Sequence, residues 1–213
     1  MEKIYLDNAS TTVLSAEVLN AMMPAMTEVY GNSASLHSFG RDAAALVDES
    51  RDKIAESINA KSNEIYFTSS GSEANTWAII GIAMANRARG NHIITTKIEH
   101  QSTLEACKYL ERNGFNVTYL DVDQNGFIRF TDLFSKMDSN TILLSFCGAN
   151  NEIGTIQNLK AIAETAHEKG VLVHLDAVQL FGNMNLDVEN LGVDAMTISA
   201  HKFYGPKGIA CLY

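Results

Sequence analysis

The stretch QNLKAIAETAHEKGVLVHLDAVQ, residues 157–179, changes its pattern of apolar residues halfway along. In the first half, four apolar residues follow the spacing of a single helix face: Leu159, Ile162, Ala163 and Ala166. This spacing predicts a helix over 157–169, and Gly170 is placed to end it. The apolar run that follows predicts a buried strand over 171–177. A helix that leads directly into an apolar strand is typical of α/β folds.

The same alternation continues along the rest of the chain. Apolar runs predict further strands at 64–69, 91–97, 116–122, 141–147, 194–200 and 208–213. Helical spacing predicts further helices at 41–59, 72–89, 101–113 and 130–138. Because strands joined by helices run parallel, we expect an α/β fold of three layers, with a mainly parallel, seven-stranded sheet covered by helices on both faces.

The composition is that of an ordinary globular protein, with 46% hydrophobic and 19% charged residues among 213. A net charge of -9 and scattered Lys and Arg residues argue against nucleic acid or an anionic membrane as a partner. No run reaches the roughly 20 apolar residues that span a bilayer, and the N-terminus lacks an apolar signal core. We therefore expect a cytoplasmic protein.

The three cysteines, Cys107, Cys147 and Cys211, are odd in number and far apart, and they form no CxxC pair. Such spacing indicates neither a disulfide framework nor a metal site. Cys147 and Cys211 lie in apolar runs and are expected to be buried. Cys107 lies on a predicted helix, where we expect partial exposure.

Ligands of open parallel sheets bind at the carboxyl ends of the strands, so the polar residues at those ends are the first candidates for a site. The strand at 64–69 is followed by SGSEANT, in which Gly71 and Ser72 begin a helix. Free backbone N–H groups and the helix dipole at such a start favour a phosphate. The alternative is purely structural, because Ser70 and Glu73 also match a capping box.

Asp176 closes the apolar strand at 171–177, where a buried carboxylate is costly unless a cation pairs with it. The protonated ring nitrogen of pyridoxal phosphate is such a cation, and a buried aspartate that pairs with it strengthens the ring as an electron sink. The alternative is a carboxylate that caps the next turn. Gln179, three residues later, is within reach of a neighbouring hydroxyl group.

The stretch SAHKFYGPKG, residues 199–208, follows a predicted strand and places Lys202 just ahead of a turn. A lysine that attacks a carbonyl must be partly desolvated or near positive charge, so that its amine is neutral. Ser199 and His201 offer donors for a phosphate, and the ring of His100 is suited to stack on a pyridine. A solvated loop lysine is the alternative. Three strand ends together thus offer a phosphate seat, a pyridinium partner and an amine.

Seven segments of the chain together resemble the cysteine desulfurases, which belong to the class V aminotransferase superfamily of fold type I pyridoxal phosphate enzymes. They are IYLDNASTT (4–12), GNSASLHSFGRDA (31–43), FTSSGSEAN (67–75), IEHQS (98–102), ANNEIGTIQ (149–157), HLDAVQ (174–179) and SAHKFYGPKG (199–208). The resemblance implies that residues 1–20 form an N-terminal arm. Residues 21–213 would then form the large domain that binds pyridoxal phosphate.

The resemblance also implies a role for each of nine residues. Lys202 carries the cofactor covalently and moves protons, while His100 stacks on the cofactor ring and acts as an acid or base. Asp176 pairs with the ring nitrogen, and Gln179 contacts the ring hydroxyl. Asn151 lies near the same hydroxyl and near the substrate carboxylate. Four residues hold the phosphate: Gly71, Ser72, Ser199 and His201.

The reaction that the resemblance implies converts L-cysteine to L-alanine and leaves the sulfur on the enzyme as a persulfide, for iron–sulfur cluster assembly or tRNA thiolation. Family members are homodimers and continue for well over a hundred residues beyond the lysine, through the nucleophilic cysteine loop and a small domain. No cysteine here aligns with that nucleophile. We therefore expect a truncated or split chain with little activity of its own. Its expected partners are a second copy or a complementary C-terminal chain, and a sulfur acceptor or iron–sulfur scaffold protein.

The sequence departs from the family pattern at three positions, where Ser33 replaces a proline, Ser72 a threonine and Gly148 a bulkier residue. Ser72 keeps the hydroxyl group, whereas Gly148 is expected to reshape one wall of the site. Two alternatives stay open. One is another class V enzyme, such as a selenocysteine lyase or an aminotransferase. The other is a noncatalytic protein that binds the cofactor or a partner chain.

Overall fold

A computed structural model describes residues 3–213. Its strands are β1 (Tyr66–Thr68), β2 (His92–Thr96), β3 (Asn116–Leu120), β4 (Thr141–Cys147), β5 (Leu172–Asp176), β6 (Ala195–Ser199) and β7 (Ala210–Leu212). Its helices are α1 (Ala16–Thr27), α2 (Ser38–Ser57), α3 (Gly71–Ala85), α4 (Gln101–Arg112), α5 (Phe130–Lys136), α6 (Leu159–His167) and α7 (Val188–Leu191). Strands and helices alternate from β1 to β6, as the sequence predicts.

The seven strands form one sheet in the order β1-β7-β6-β5-β4-β2-β3. Strands β2 to β6 pair in parallel, whereas β7 is antiparallel to both β1 and β6. Across the middle of the sheet, Cys147 pairs with Asp176, and Asp176 pairs with Thr197. The carboxyl ends of β4, β5 and β6 therefore meet at one edge. The expected mainly parallel, seven-stranded sheet is confirmed.

Helices cover both faces of this sheet. On one face, Ile79 of α3 and Leu110 of α4 pack with Leu143 of β4. On the other face, Ile162 of α6 packs in the same cluster as Leu144. Neighbouring strand residues point to opposite faces, so a strand buried on both sides is apolar along its whole length. This explains the continuous apolar run of β4, and it confirms the three expected layers.

Capping residues set the ends of the helices that lead to the strand ends. Ser70 caps α3 by accepting a hydrogen bond from the N–H of Glu73 (3.1 Å). The Glu73 carboxylate accepts from the N–H of Ser69 and not from Ser70, so the predicted capping box forms in only one direction. Helix α3 ends four residues before its predicted end, because the side chain of Asn86 donates to the Ile82 carbonyl (2.9 Å) and closes the last turn.

Helix α6 begins after Asn158, whose side chain accepts from the N–H of Ala161, and it ends as predicted near Gly170. The φ of Gly170 is +70°, a left-handed conformation that glycine adopts without steric cost. Helix α1 continues across residue 20, where the division between arm and large domain stays a prediction. Within residues 3–213, no helix combines the length and the apolar character that crossing a membrane requires.

Candidate active site

A cavity of about 510 Å³ lies at the carboxyl ends of β4, β5 and β6. It is lined by the last residue of each strand: Cys147, Asp176 and Ser199. All nine predicted site residues line this cavity: Gly71, Ser72, His100, Asn151, Asp176, Gln179, Ser199, His201 and Lys202. The fold therefore brings together residues from five separate segments of the sequence.

The N-terminus of α3 forms one wall of the cavity. A Cβ atom on Gly71 would lie only 3.0 Å from Cγ2 of Val178 and 3.3 Å from Cβ of Ser199. Glycine at this position lets the first turn of α3 approach the end of β6 closely. The unpaired N–H groups of a helix start and the hydroxyls of Ser72 and Ser199 are suitable donors for an anion.

Asp176 is a buried carboxylate, only 6% exposed, that lines the cavity. Its Oδ2 accepts a hydrogen bond from Nδ2 of Asn75 (2.7 Å), and its Oδ1 accepts from the N–H of Val178 (3.0 Å). Burial raises the pKa of Asp176, while these hydrogen bonds and the charges of His100 and Lys202 oppose that rise. The alternative of a turn-capping carboxylate is thus partly correct, because one oxygen does bind the next turn.

Asn75 is not among the predicted site residues, although it lies in the segment 67–75, which resembles the family. Asn75 is 1% exposed, and its Nδ2 also lies 3.0 Å from Oγ of Ser102. A polar side chain on the buried face of α3, beside Ala74 and Ala78, was the available signal. Such a residue needs a buried hydrogen-bond partner, and the partner here is Asp176.

Lys202 lies in a tight turn between β6 and β7. The N–H of Gly205 donates to the Ala200 carbonyl (2.9 Å). A Cβ atom on Gly205 would lie 2.8 Å from that oxygen, so no larger residue fits without a shift of the backbone. Tyr204 has a φ of +67°, in the left-handed region that residues with side chains rarely adopt. The turn is therefore held in an uncommon conformation.

The N-terminal segment fixes this turn from outside. The Thr12 hydroxyl donates to the carbonyl of His201 (3.0 Å) and accepts from the N–H of Tyr204 (2.7 Å). The N–H of Ser15 donates to the carbonyl of Tyr204 (3.0 Å). These bonds join residues that lie about 190 positions apart in the sequence.

Lys202 lines the cavity together with Ala9 and Ser10 of the same N-terminal segment. Its Nζ donates to the carbonyls of Ala9 and Ser10, the latter at 2.9 Å. Burial lowers the pKa of Lys202, while the charges of Asp176 and Asp7 oppose that change. The alternative of a fully solvated loop lysine is wrong, because this amine is partly buried and hydrogen-bonded to backbone carbonyls.

His100 follows β2 and caps α4. Its Nδ1 accepts from the N–H of Ser102 (3.1 Å) and lies 2.8 Å from Oγ of the same residue. Because Asn75 also contacts Ser102, side chains link His100 to Asp176 through two intermediates. His100 is exposed at the cavity, where its ring is accessible to a ligand.

Gln179 and Asn151 occupy the rim. Nε2 of Gln179 donates to the Ala9 carbonyl (2.9 Å), which connects the end of β5 with the N-terminal segment. Asn151 lies in the turn that follows β4 and is exposed. His201 also lines the cavity, and its Nδ1 lies 3.1 Å from Oγ1 of Thr11. Burial lowers the pKa of His201, and the charges of Lys202 and Lys207 lower it further.

All three cysteines are buried, so the expected partial exposure of Cys107 is wrong. Cys107 faces Leu110 and Ile79 in the apolar layer between α3, α4 and the sheet. Cys147 is 7% exposed and lines the cavity. Burial raises the pKa of each thiol, to about 12 for Cys107 and Cys211, and raises that of Cys147 as well.

Gly148 does not shape the site as expected. A Cβ atom on Gly148 would lie 2.3 Å from Cδ1 of Leu180 and 2.9 Å from Cδ1 of Leu175, both of which belong to the hydrophobic core. The space that a larger side chain would take is therefore filled by leucines on the side away from the cavity. The expectation that Gly148 reshapes a wall of the site is wrong.

Comparison with known proteins agrees with this arrangement. The family model described as "Aminotransferase class-V" matches residues 4–213. The cysteine desulfurase IscS of Clostridium botulinum is 48% identical over 212 residues, which cover 100% of this chain and 53% of the relative. The chain spans about half the length of the curated relatives it matches.

Solved structures extend the similarity to three dimensions. A NifS-like protein superposes with a TM-score of 0.97 at 39% identity, covering 100% of this chain and 59% of the other. A structure described as SspA in complex with cysteine superposes with a TM-score of 0.95 at 36% identity, covering 99% and 61%. The similarity predicted from the seven segments is confirmed. The chain belongs to the aminotransferase class-V family, whose enzymes depend on pyridoxal phosphate.

Proposed function

We propose that this chain forms the pyridoxal phosphate site of a cysteine desulfurase. One observation carries the proposal: the partly buried amine of Lys202 and the buried carboxylate of Asp176 line the same cavity as the N-terminus of α3. An amine, an anion and a phosphate seat are the three features that this cofactor requires. The similarity to proteins named cysteine desulfurase supports the choice of reaction.

The residues of the cavity fit the cofactor in size and in chemistry. A volume of about 510 Å³ lies within the range of small-molecule sites. The close approach of Gly71 to Val178 and Ser199 leaves little room for a side chain where the phosphate would contact the α3 backbone. Ser72, Ser199 and His201 would add donors to the phosphate.

Pyridoxal phosphate supplies an electrophilic carbonyl and a ring that withdraws electrons from the substrate. Asp176 would hold the ring nitrogen in its protonated form, because a buried anion with two donors already in place favours a cation beside it. Gln179 would contact the ring hydroxyl, and Asn151 would contact the substrate carboxylate. His100 would lie against the ring face.

Lys202 would perform the covalent and proton-transfer roles. Burial favours its neutral amine, which is the form that attacks a carbonyl. The carbonyls of Ala9 and Ser10 fix the position of Nζ, so the amine would be oriented before it reacts. Once released from the cofactor, the same amine would carry a proton to and from the substrate carbon, with His100 as a second candidate.

L-Cysteine is the proposed substrate. The solved structure of SspA in complex with cysteine is similar to 99% of the length of this chain, which supports the proposal. We do not propose a cysteine of this chain as the sulfur acceptor. All three thiols are buried, and burial raises the pKa of each, which disfavours the reactive thiolate. We therefore expect this chain alone to convert little or no cysteine to alanine.

The first test is to incubate the purified 213-residue chain with pyridoxal phosphate, record its visible absorbance, reduce it with borohydride and map the labelled peptide. We expect a cofactor label on Lys202 and its loss in Lys202→Ala. Lys97→Ala is the matched control, since Lys97 also follows a strand end but is exposed and paired with Asp121 (2.7 Å). A folded chain that takes up no label, or takes it up elsewhere, would refute the proposal.

The second test concerns the substrate. Addition of L-cysteine to the loaded chain should change the absorbance, whereas D-cysteine should change it far less. A different result would be that this chain alone releases sulfide, at a rate that Lys97→Ala leaves unchanged and Lys202→Ala abolishes. That result would contradict the expectation of little activity. No response to L-cysteine with a clear response to another amino acid would transfer the proposal to another class V reaction.

We also propose that the chain associates with a second copy or with a complementary chain. Every residue of α1 is at least partly exposed, including the apolar side chains of Leu19, Met23 and Met26. A helix that places apolar side chains in water favours association. Light scattering should give the mass of two copies if the chain forms a homodimer. If it pairs with a complementary chain instead, the mass should be that of one copy alone and should rise when the complementary chain is added. Iron–sulfur scaffold or sulfur-acceptor proteins are the proposed recipients of the sulfur.

A further inference from the structure

Glu99, which no step of the proposed function uses, is a buried carboxyl group next to the cavity. It lies between β2 and α4, directly before His100, and is 7% exposed. Its Oε1 accepts a hydrogen bond from Oγ1 of Thr96 (2.5 Å). Its Oε2 is buried and has no hydrogen-bond partner among residues 3–213. A carboxylate in such a place is costly unless it binds a proton.

The titratable groups coupled to Glu99 come from three elements. In addition to burial, Asp176 at the end of β5 raises the pKa of Glu99, whereas contacts with Cys147 at the end of β4 lower it. Glu99 in turn adds to the effect of burial in raising the pKa of the Cys107 thiol on α4. Asp176 supplies the charge that acts on Glu99, and it disfavours a second negative charge in the same buried region. Two carboxyl groups that share a water-poor site cannot both stay ionised at modest cost.

Hydrogen-bond donors decide which member of the pair keeps the charge. Asp176 has a donor on each oxygen, Asn75 on one and Val178 on the other, and the nearby amine of Lys202 also lowers its pKa. Among residues 3–213, Glu99 has the Thr96 hydroxyl on Oε1 and no donor in hydrogen-bond geometry on Oε2, and its contacts with Cys147 offset the effect of burial only in part. Donors to both oxygens stabilise the anion of Asp176, so the proton belongs on Glu99.

We propose that Glu99 is a positioning residue that stays protonated behind Asp176 and thereby keeps the negative charge of this carboxyl pair on Asp176. The consequence for the ring nitrogen of pyridoxal phosphate rests on the proposed function. The protonation of Glu99 does not, because it follows from the protein groups alone. Burial supports this assignment by raising the pKa of Glu99 to about 8, although contacts with Thr96 and Cys147 lower it in part.

Infrared difference spectroscopy on the chain without cofactor tests the proton directly. At pH 6 we expect a carboxylic acid band that is absent from Glu99→Gln, and the band should disappear as the pH rises through about 8. Glutamine keeps the shape and the acceptor for Thr96. Glu164→Gln, on the exposed side of α6, is the matched control and should keep the band. Absence of a band that depends on Glu99 would overturn the proposal.

The dependence of stability on pH is a second measurement that a purely structural role would not affect. The folded chain retains the Glu99 proton from pH 4.5, its ordinary pKa, up to about 8, whereas the unfolded chain releases it. The folding equilibrium constant of the natural chain should therefore fall about tenfold per pH unit across this window, relative to Glu99→Gln. Parallel profiles would overturn the proposal.

Cofactor binding separates this inference from the proposed function. At pH 7, Glu99→Gln should bind pyridoxal phosphate within about threefold of the natural chain, a change of about 0.7 kcal/mol, because glutamine mimics a neutral acid. Asp176→Asn should bind it far more weakly. If Glu99→Gln also lost binding, an ionised Glu99 would be needed and the proposal would fail. If neither the natural chain nor any variant bound the cofactor, the proposed function would fail. The infrared band would still show whether Glu99 is protonated.

Discussion

Nδ2 of Asn75 donates to Oδ2 of Asp176 across 2.7 Å, which joins the first turns of α3 to the end of β5 through a buried polar contact. The other oxygen of Asp176 is bound by the N–H of Val178. The carboxylate is thus held in one orientation before any ligand arrives. Because the same helix begins at Gly71, the amide also fixes the distance between the phosphate seat and the anion.

Asn75→Ala should destabilise the chain by about 2 kcal/mol, because it leaves a buried carboxylate oxygen without its donor. Urea unfolding monitored by circular dichroism gives this difference. The matched control is Asn113→Ala at the end of α4, where an exposed amide donates to the Tyr109 carbonyl (2.8 Å). The control should lose no more than about 0.5 kcal/mol. Equal losses would mean that the buried bond contributes nothing specific.

Gly71→Ala should weaken the binding of pyridoxal phosphate at least tenfold, or about 1.4 kcal/mol. The added methyl would lie 3.0 Å from Cγ2 of Val178 and 3.3 Å from Cβ of Ser199, so these side chains or the start of α3 must shift to relieve the tight contacts, which disturbs the phosphate seat. Fluorescence titration with the cofactor measures the change. Inorganic phosphate should lose its competition with the cofactor in parallel.

Gly81, in the same helix, provides the control for this substitution. Its nearest contact to an added Cβ would be Cδ1 of Trp77 at 3.7 Å, an ordinary contact. Gly81→Ala should leave cofactor binding unchanged and raise stability by about 0.5 to 1 kcal/mol, because alanine favours the helix. Weakened binding in both variants would indicate a general effect on α3 and would count against the phosphate seat.

The sequence predicts those parts of the site that depend on neighbours in the chain, and not those that depend on residues far away in the sequence. Strand ends and helix starts follow from local patterns, so Asp176, Lys202 and Gly71 could be assigned to a common edge of the sheet. Asn75 and Glu99 could not, because their roles depend on neighbours more than fifty residues away. The effect of Gly148 on the cavity could not be predicted either, because Leu180, from another segment, fills the space that a larger side chain would take.

His174 should make the chain less stable as the pH falls below about 6. It is fully buried, with Nδ1 2.9 Å from Oγ of Ser145 and Nε2 3.0 Å from Oγ1 of Thr197. Burial lowers its pKa to about 3 from the ordinary value of 6.5. Between these values the unfolded chain binds a proton that the folded chain does not, so stability decreases as the pH falls.

The expected slope is about 1.4 kcal/mol per pH unit between pH 6 and 4.5, measured as the difference from His174→Gln in urea unfolding. Using the difference removes the contributions of Asp176 and Glu99, which act with the opposite sign. Nuclear magnetic resonance of the ring nitrogens should show a neutral His174 throughout this range. A protonated ring at pH 5 would show that the buried site accepts the charge.

Thr12→Val should release the turn that carries Lys202. The Thr12 hydroxyl is the acceptor for the N–H of Tyr204, a residue in a left-handed conformation, and the donor to the carbonyl of His201. Valine has nearly the same shape but cannot form either bond. The Tyr204 amide would lose its partner in a partly buried hydrogen bond, at a cost of about 1 kcal/mol, and the strained turn would lose its support.

Hydrogen exchange of residues 200–205 should therefore become faster in Thr12→Val, and borohydride labelling of Lys202 by pyridoxal phosphate should fall. Thr12→Ser keeps the hydroxyl and should restore both, which separates loss of the hydrogen bonds from loss of the methyl group. Thr27→Val on α1 removes an exposed hydroxyl bond to the Met23 carbonyl and should leave both unchanged. Faster exchange with undiminished labelling would show that the amine of Lys202 is positioned by the carbonyls of Ala9 and Ser10 without help from the turn.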